Sequence, residues 1–456
     1  MNRVASRSTI AMMLVVVLLG GMCLFLTEYV MKADDWVVFE GSPHIYSGVN
    51  LGRGVITDRS GELLLSAGEI RTYSEDKGIR KSTLHWIGDR LGYISAPAVA
   101  GYASEMSGYG LLNGLYGYSG TGGEAVLTIS AEVQKVALEA LGKKKGTVAV
   151  YNYKTGEILC AVTTPTYDPD NVPDIDESSD KYEGIYLNRF TQVAYVPGSV
   201  FKIVTTAAAL DTLENARQIE FRCKGVYEMS GGKVKCTGEH GKLDLERALR
   251  KSCNCYFAQL TEVLGAETLQ RYVEQFQVTQ PVHFDGVTTA KGHFSVEGAK
   301  DQEIAWAGIG QYQDTVNPCR YMTFMGAIAG GGEAAEPYIV ASAGAGLFGG
   351  HRATKSSTGR IMERETAEAI TELMRSNVEN GYGDDNFPGL TVCAKSGTAE
   401  VGGGKEPNAT FAGFCIDRNY PLAFMVVVED AGSGAKTCIP ILSEVLAACK
   451  DLMDSE

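Results

Sequence analysis

The stretch Pro197–Lys202 reads Pro-Gly-Ser-Val-Phe-Lys and places a serine at the start of an apolar helical run, Val200–Leu213. Lys202 follows Ser199 by three residues, so both side chains are expected on one face of the helix. A serine hydroxyl becomes a good nucleophile when a base takes its proton, and burial can lower the pKa of an amine enough for that task. The helix N-terminus also offers backbone N–H groups to an oxyanion. Alone, the pattern is common by chance and also fits an N-cap serine beside a solvated lysine.

Two later motifs make the serine more informative. Ser252-Cys253-Asn254 follows a predicted helix and presents two polar side chains two residues apart. Lys395-Ser396-Gly397-Thr398 lies at the end of a predicted strand, Leu390–Ala394. Each motif is weak by itself, since the first is often a turn and the second often a strand end. The three in this order, with the last on a strand that can line a cleft beside the serine helix, predict an active-site serine acyltransferase.

Around these motifs the residue pattern predicts an α+β fold. A helix at Glu132–Leu141 leads into strands at Gly146–Tyr151 and Ile158–Val162, and three more strands and a helix close the chain. These last elements are Leu390–Ala394, Thr410–Phe414, Leu422–Val428 and the helix Pro440–Leu452. Helical periodicity between the two groups of strands marks Val200–Leu213, Leu245–Val263 and Pro318–Ala329. Strands at both ends with helices between them favour one antiparallel sheet built from both termini of the domain.

The segment Val38–Ser119 reads as short strands and turns, with a turn at Asp58–Gly61 between two apolar strands. We therefore divide the chain into a tail at residues 1–7, a membrane helix at 8–30, a small β-rich domain at 31–125 and a larger domain at 126–456 that carries the three motifs.

The run Ser8–Thr27 carries no charge and has the length of about 20 residues that spans a hydrocarbon core. Arg3 and Arg7 precede it, whereas Glu28 and further acidic residues follow it, so the positive-inside rule predicts a cytoplasmic N-terminus. Everything after the run is then expected outside the cell membrane. The run is longer than the apolar part of a signal peptide, and no A-x-A site follows it, which argues against cleavage.

Composition limits the other possibilities. The 456 residues are 45% hydrophobic and 21% charged, which is typical of a globular protein and excludes a disordered chain, collagen and a coiled coil. The formal net charge of −14 argues against nucleic acid as a partner, because a phosphate backbone needs a basic surface. The eleven cysteines show no paired C-x-x-C spacing and the six histidines no metal spacing, so we expect no metal and no cofactor. Cys223 and Cys236 could close a loop in an oxidising compartment, while buried free thiols are the simpler interpretation.

The motifs resemble those of the class B penicillin-binding proteins, the membrane-anchored D,D-transpeptidases that cross-link peptidoglycan. The resemblance covers nearly the whole chain. It includes Arg53–Leu64 after the anchor, Leu187–Arg189 and Val196–Ser199 before the nucleophile, and Ala307–Gln311 with Val316–Pro318. It implies a penicillin-binding, β-lactamase-like transpeptidase fold for the larger domain, in the short form without C-terminal repeats.

The resemblance also implies a role for each motif residue. Ser199 would attack the carbonyl of the penultimate D-Ala of a stem peptide, with Lys202 as the base. Ser252 and Asn254 would complete a proton path and hold the substrate amide. Lys395 would supply positive charge near the substrate carboxylate. The remaining expected substrate-binding and oxyanion residues are Ser396, Gly397 and Thr398, and the backbone N–H groups of Ser199 and Thr398 would form the oxyanion hole.

Three positions depart from the family's usual residues. Ala394 stands where glycine is usual before the lysine, and Ser396 stands where threonine is more common. Asn317 replaces the threonine that usually precedes Pro318. The first change keeps a small residue and the second keeps a hydroxyl, so neither is expected to abolish activity.

The implied partners are peptidoglycan stem peptides, β-lactam antibiotics, the membrane and a polytopic glycan polymerase. A membrane-anchored β-lactamase shares the three motifs but needs an added base that activates water, and no position in the sequence can be assigned that role. A non-catalytic scaffold for a polymerase is the second alternative, and intact Ser199, Lys202 and Lys395 argue against it.

Overall fold

The structure is a computed structural model that describes residues 2–37, 39, 42–109, 114–116, 120, 122–176, 178–345 and 350–455. The helices, in chain order, are α1 Asn2–Val37, α2 Lys77–Ile87, α3 Pro97–Ala100, α4 Ala103–Ser107, α5 Ala131–Leu141, α6 Arg189–Gln192, α7 Lys202–Thr212, α8 Leu245–Arg250, α9 Asn254–Leu264, α10 Ala266–Gln275, α11 Asp301–Ala307, α12 Pro318–Ala329, α13 Arg364–Asn377 and α14 Gly434–Ser455. Four short helical turns lie at Gly198–Phe201, Ala216–Gln218, Val378–Tyr382 and Asp384–Asn386.

The strands, in chain order, are β1 Tyr46–Ser47, β2 Asn50–Leu51, β3 Gly54–Thr57, β4 Leu63–Ala67, β5 Thr72–Tyr73, β6 Glu124–Leu127, β7 Gly146–Asn152, β8 Ile158–Thr164, β9 Phe221–Cys223, β10 Val226–Met229, β11 Gly232–Lys235, β12 Gly241–Leu243, β13 His283–Phe284, β14 Val287–Thr288, β15 Val340–Gly344, β16 His351–Arg352, β17 Val392–Ala399, β18 Asn408–Cys415 and β19 Leu422–Val428.

A five-stranded antiparallel sheet organises the larger domain in the order β17-β18-β19-β7-β8. Its strands come from both ends of the domain, as the residue pattern predicted. Both faces of the sheet are covered by helices. Successive side chains along a strand point to opposite faces, so alternate residues pack into two different hydrophobic clusters. Val148 and Val150 pack with α5 and α14, whereas Ala149 and Tyr151 pack with the helices on the opposite face. The α+β prediction is confirmed.

Strand β17 runs further than the sequence predicted. The apolar run ends at Ala394, but the strand continues to Ala399 and pairs with β18 along its whole length. The apolar pattern predicted too short a strand because the motif residues that follow Ala394 are polar. They lie on an edge strand, where every second side chain faces a cleft. Lys395 and Gly397 are buried, while Ser396 is partly exposed and Thr398 is exposed.

The helical prediction Leu245–Val263 was wrong in one respect, because the structure breaks it into α8 and α9. Asp244 caps α8 and Cys253 caps α9 through side-chain acceptors. Ser252, between the two helices, has φ +52°, a backbone conformation that interrupts a right-handed helix. The break therefore lies at the serine of the second motif.

A second sheet, in the order β16-β15-β6-β3-β4-β5, links the N-terminal region to the larger domain. The hairpin of β3 and β4 confirms the predicted turn at Asp58–Gly61. The reading of this region as short strands and turns was incomplete, because it also contains α2, whose N-cap Asp76 accepts from two backbone N–H groups. Strand β6 pairs with β3 on one side and β15 on the other, so the predicted boundary at residue 126 falls within a shared sheet.

The N-terminal helix α1 contains the predicted membrane segment. Residues Val4–Ala33 are long and apolar enough to cross a membrane, and their large apolar side chains are exposed. Exposed apolar surface over such a length is typical of a helix that contacts lipid rather than a protein core. The helix is therefore a candidate membrane anchor.

Candidate active site

Ser199 lies in the tight turn Gly198–Phe201 that leads directly into α7. Gly198 has φ +59°, and a Cβ at this position would come 2.8 Å from the carbonyl oxygen of Thr398, so only glycine fits. Its N–H donates to the carbonyl of Gly310 at 2.9 Å. The segment Ala307–Gln311, which the resemblance singled out, thus supports the backbone just before the serine.

The amine of Lys202 is the centre of the polar network. Its Nζ lies 2.9 Å from Ser199 Oγ, 2.8 Å from the carbonyl oxygen of Ser252, 3.2 Å from Ser252 Oγ and 2.7 Å from Asn254 Oδ1. Lys202 is completely buried, and the ring of Phe257 lies 5.6 Å from the nitrogen. Burial lowers the pKa of Lys202 to about 7, although the neighbouring Cys236, Cys253 and Cys255 act in the opposite direction.

The acceptors around Lys202 leave a defined place for a lone pair. A neutral amine has two N–H groups, and the carbonyl of Ser252 and Oδ1 of Asn254 can only accept. The amide of Asn254 is oriented this way because its Nδ2 donates to the carbonyl of Lys235 at 3.1 Å. With both N–H groups used, the remaining lone pair is available to the Ser199 hydroxyl. The arrangement can therefore take a proton from the serine.

Ser252 connects this amine to a second one. Lys395 Nζ lies 3.1 Å from Ser252 Oγ and 2.7 Å from the carbonyl oxygen of Ser396. Burial and the nearby Lys202 both lower the pKa of Lys395. Two buried amines that share one hydroxyl cannot both be charged cheaply, so a proton can pass between them through Ser252.

The strand β17 lies against the serine turn because of a second glycine. A Cβ at Gly397 would come 2.2 Å from Thr410 Oγ1 and 3.1 Å from the backbone nitrogen of Val200. Thr410 Oγ1 also donates to the carbonyl of Pro197 at 3.1 Å, which ties β18 to the same turn. The third motif and the nucleophile are thus held together by close backbone contact.

The structure brings all the predicted site residues together, and they differ in their exposure to solvent. Lys202, Lys395 and Gly397 are buried, whereas Ser199, Ser252, Asn254, Ser396 and Thr398 reach the surface at least in part. Hydroxyl and amide groups therefore face an incoming molecule, and the two amines lie beneath them.

Sequence reasoning missed Tyr382, which supports the third motif. Its hydroxyl accepts from the Ser396 N–H at 2.8 Å and lies 2.8 Å from Ser396 Oγ. Tyr382 ends the short turn Val378–Tyr382, in which the backbone takes the wide π form, and its ring packs on the edge of Phe411. Such turns are frequent at functional sites. No pattern in the sequence connects residue 382 to residue 396.

A buried ion pair that the sequence did not reveal holds the approach to the serine. Arg189 Nε donates to Glu429 Oε1 at 2.8 Å, and the hydroxyl of Tyr195 donates to the same oxygen at 2.7 Å. Both side chains of the ion pair are largely buried. The pair therefore joins the segment before Ser199 to the end of β19.

Asn317 has a structural role that explains one departure from the family's usual residues. Its Oδ1 accepts from the N–H groups of Cys319 and Arg320 and so caps α12, while the two N–H groups of its Nδ2 lie within hydrogen-bond distance of three carbonyls in the segment before the serine. An amide can do both, whereas a threonine hydroxyl has one donor.

The cysteines of the described residues are all free thiols, and most are buried, as expected. One group departs from the scattered distribution that the spacing suggested. Cys223, Cys236, His240 and Cys253 come together beside the second motif, with their ligand atoms within 4.8 Å of one another. They lie on separate elements, so the spacing in the sequence gave no sign of the group.

The fold and the site define a class of protein. A serine at a helix start, a buried amine three residues on, and a lysine-bearing edge strand beside them are the arrangement of the active-site serine acyltransferases.

Comparison with known proteins narrows this class. The family model for the penicillin binding protein transpeptidase domain matches residues 146–447. The peptidoglycan D,D-transpeptidase PbpA of Mycolicibacterium smegmatis is 28% identical over 363 residues, which are 72% of this chain and 72% of that protein. Stage V sporulation protein D of Bacillus subtilis is 31% identical over 346 residues, 70% of this chain and 52% of that protein.

Solved structures agree on the fold. Penicillin-binding protein A from M. tuberculosis, in a ceftriaxone acyl-enzyme complex, superposes with a TM-score of 0.75 at 24% identity, covering 87% of this chain and 98% of that one. The chain therefore belongs to the penicillin-binding protein transpeptidase family, and the resemblance to its class B members is confirmed.

Proposed function

We propose that this protein is a peptidoglycan D,D-transpeptidase that cross-links stem peptides through an acyl-enzyme on Ser199, with Lys202 as its base. The observation that carries the proposal is the distance of 2.9 Å between Lys202 Nζ and Ser199 Oγ, in a setting where burial lowers the pKa of the lysine to about 7. A base with a pKa near the working pH combines a useful neutral fraction with a useful driving force for proton transfer.

In the first half of the reaction, Ser199 Oγ attacks the carbonyl carbon of the penultimate D-Ala and its proton moves to Lys202. The negative charge that develops on the carbonyl oxygen is stabilised by the N–H groups of Ser199 and Thr398. The bond to the terminal D-Ala then breaks. Its nitrogen takes a proton from Lys202 through Ser252, and free D-Ala leaves with Ser199 acylated.

In the second half, an amine from a neighbouring stem peptide attacks the ester carbonyl. The attacking nitrogen gives a proton to Lys202, the bond to Ser199 Oγ breaks, and Oγ takes a proton back. One amide is lost and one is formed, so no cofactor or energy source is needed. β-Lactams offer a carbonyl of the same kind, and their ring-opened acyl group is expected to stay on Ser199.

The third motif is suited to the carboxylate end of the substrate. The hydroxyls of Ser396 and Thr398 reach the surface of the cleft. Lys395 lies beneath them. Its Nζ donates to Ser252 Oγ and to the Ser396 carbonyl, so the amine lies between the proton path and this end of the cleft. We assign the substrate carboxylate to Ser396 and Thr398, with Lys395 supplying the favourable field.

The enzyme is proposed to act outside the cell membrane, held by α1 with its N-terminus in the cytoplasm. A polytopic glycan polymerase is the proposed membrane partner, contacting the anchor and the Arg53–Leu64 region, because a cross-linking enzyme needs newly made strands nearby. Affinity purification of the full chain from its own membranes should retrieve such a polymerase. Repeated recovery of the chain without one would contradict the partner assignment.

The activity is tested with the full chain in detergent micelles, a synthetic stem pentapeptide ending in D-Ala-D-Ala and a labelled D-amino acid as acceptor. The proposal predicts release of D-Ala together with incorporation of the label, both absent in Ser199→Ala. Rapid, repeated hydrolysis of a β-lactam without incorporation would show a β-lactamase instead. Absence of both reactions in the wild type would favour a scaffold.

A further inference from the structure

Four potential metal ligands meet beside the second motif, each at or next to the end of a different element. Cys223 ends β9, Cys236 directly follows β11, His240 directly precedes β12, and Cys253 caps α9. Their ligand atoms all lie within 4.8 Å of one another. Cys223 and Cys253 are buried, while Cys236 and His240 are half-buried and leave an entry path from solvent.

Three of the six distances within this group are close to the edges of a tetrahedron around one metal ion, and the others are at most 4.8 Å. Cys236 Sγ lies 3.8 Å from Cys253 Sγ, and His240 Nδ1 lies 3.6 Å from Cys223 Sγ and 3.5 Å from Cys236 Sγ. Bonds of about 2.3 Å from zinc to sulfur and about 2.0–2.1 Å to nitrogen place two sulfurs about 3.8 Å apart, and a sulfur and a nitrogen about 3.5 Å apart. A disulfide needs sulfurs at about 2.05 Å, so the geometry fits a shared ion better than a covalent bond.

The surrounding fold gives such an ion a structural role. The residues between α7 and α8 form two small antiparallel pairs, β9 with β12 and β10 with β11, each of only two strands. Isolated two-stranded pairs are marginally stable in water. The four ligands lie where these pairs meet the start of α9, so one ion would bind both pairs to the main body of the domain.

We propose that Cys223, Cys236, His240 and Cys253 bind one Zn²⁺ ion in tetrahedral coordination. Three thiolates and one imidazole make a soft ligand set that suits zinc, and four protein ligands leave no open position for catalysis. The sulfur of Cys253 accepts from the Tyr256 N–H at 3.4 Å, and hydrogen bonds of this kind orient metal ligands. The site is therefore structural.

The ion would act on the reaction by positioning the second motif. Cys253 lies between Ser252 and Asn254, which both contact Lys202 Nζ. The amide of Asn254 donates to the carbonyl of Lys235, the neighbour of Cys236. A zinc ion bound to Cys236 and Cys253 thus fixes the backbone next to Lys235 and next to Asn254, the two residues joined by this hydrogen bond. It also holds Ser252 in its left-handed conformation.

The test measures metal on the full chain, purified in detergent without chelators. Elemental mass spectrometry should find about one zinc per chain in the wild type and far less in His240→Ala and Cys223→Ser. Cys438→Ser is the matched control, because Cys438 is equally buried but lies in α14. It should keep its zinc.

Zinc X-ray absorption of the wild type gives a readout that needs no variant to fold. It should show three sulfur ligands at about 2.3 Å and one nitrogen at about 2.0–2.1 Å. A chain that neither carries zinc nor takes it up on dialysis, a Cys236–Cys253 disulfide in non-reducing peptide maps, or unchanged zinc in His240→Ala would overturn the proposal. None of these readouts depends on transpeptidation, so they are independent of the proposed activity.

Discussion

Lys202 and Lys395 are joined through one hydroxyl: Ser252 Oγ lies 3.2 Å from the first amine nitrogen and 3.1 Å from the second. Both amines are buried, and burial lowers the pKa of each. The site therefore holds fewer protons at neutral pH than two ordinary lysines would. This shortage of protons allows one amine to serve as the base for Ser199.

Replacing the proposed base should remove acylation while keeping the fold. Methionine has about the length of the lysine stem, and a buried uncharged side chain is well tolerated at a site that disfavours charge. We expect Lys202→Met to lower the second-order rate constant for acylation by penicillin about 10²–10⁴-fold, the usual range for loss of a general base. Stopped-flow mixing followed by intact mass measures it. Lys154→Met, at an exposed turn, is the control, and acylation of Lys202→Met within a few-fold of wild type would exclude the lysine as base.

The pH dependence of acylation follows from the same lysine. Only the neutral amine accepts the proton of Ser199, so the rate should rise with pH through about 7 and then level off. Below that pH each unit should lower the rate about tenfold. The other titratable groups that act on Lys202 or lie beside it are Lys395 and the thiols of Cys236, Cys253 and Cys255. A flat profile between pH 5 and 9 would contradict the assignment.

The lowered pKa of Lys202 should also make the free energy of unfolding depend on pH, with a sign that can be worked out. The pKa of Lys202 is about 7 in the folded chain and 10.5 in its ordinary state, so between these values the unfolded chain binds one more proton. Unfolding of the wild type is therefore disfavoured increasingly as pH rises through this range. Relative to Lys202→Met, the wild-type free energy of unfolding should gain up to about 1.4 kcal/mol per pH unit. A difference that is constant or falls from pH 7 to 9 would show that the lysine is not shifted.

Tyr382 should matter for the reaction although it lies behind the motif. Tyr382→Phe removes the acceptor of the Ser396 N–H and the partner of its hydroxyl. The loss of a hydrogen bond to a confined group costs about 1–2 kcal/mol, so acylation should slow about 5–30-fold. Because Lys202 is untouched, the midpoint of the pH profile should stay in place.

Tyr153→Phe is the matched control for this change, since it removes a long hydrogen bond of 3.4 Å to the Cys415 carbonyl elsewhere on the same sheet. Its acylation rate should equal that of the wild type. Equal rates for Tyr382→Phe and the wild type would show that the tyrosine only fills space.

Glu429 should be needed for stability. Glu429→Gln leaves Arg189 with an uncompensated charge in a buried place, which typically costs about 3 kcal/mol. A clear drop in the unfolding temperature is expected in detergent micelles. Lys450→Gln, which breaks a pair with Asp454 at the surface, should change it little. Similar small shifts in both variants would mean that the buried pair is dispensable.

The parts of the site that could be predicted are those whose chemistry is local. The serine and Lys202 are three residues apart, so helical spacing alone brings them together. The strands β7, β8 and β19 were foreseen because apolar runs mark buried strands. The first part of β17 was predicted too, within Leu390–Ala394, but its continuation to Ala399 and the break at Ser252 were not. The residues there are polar and line the cleft, so they show no apolar pattern.

The remaining parts depend on contacts between distant residues. Tyr382 meets Ser396, and Glu429 meets Arg189, only after the sheet has formed. The Cys223, Cys236, His240 and Cys253 group assembles from two small antiparallel strand pairs and a helix start, so no single sequence spacing reveals it. Tertiary contact of this kind has no periodicity that a sequence pattern could reveal.

The most direct test of the central claim is intact mass of the full chain after incubation with labelled penicillin, beside Ser199→Ala. The account predicts one stable adduct of the antibiotic's mass on the wild type, located on the peptide containing Ser199, and no adduct on the variant. An adduct that forms equally on Ser199→Ala, or a wild type that consumes the antibiotic and returns at once to its unmodified mass, would contradict it.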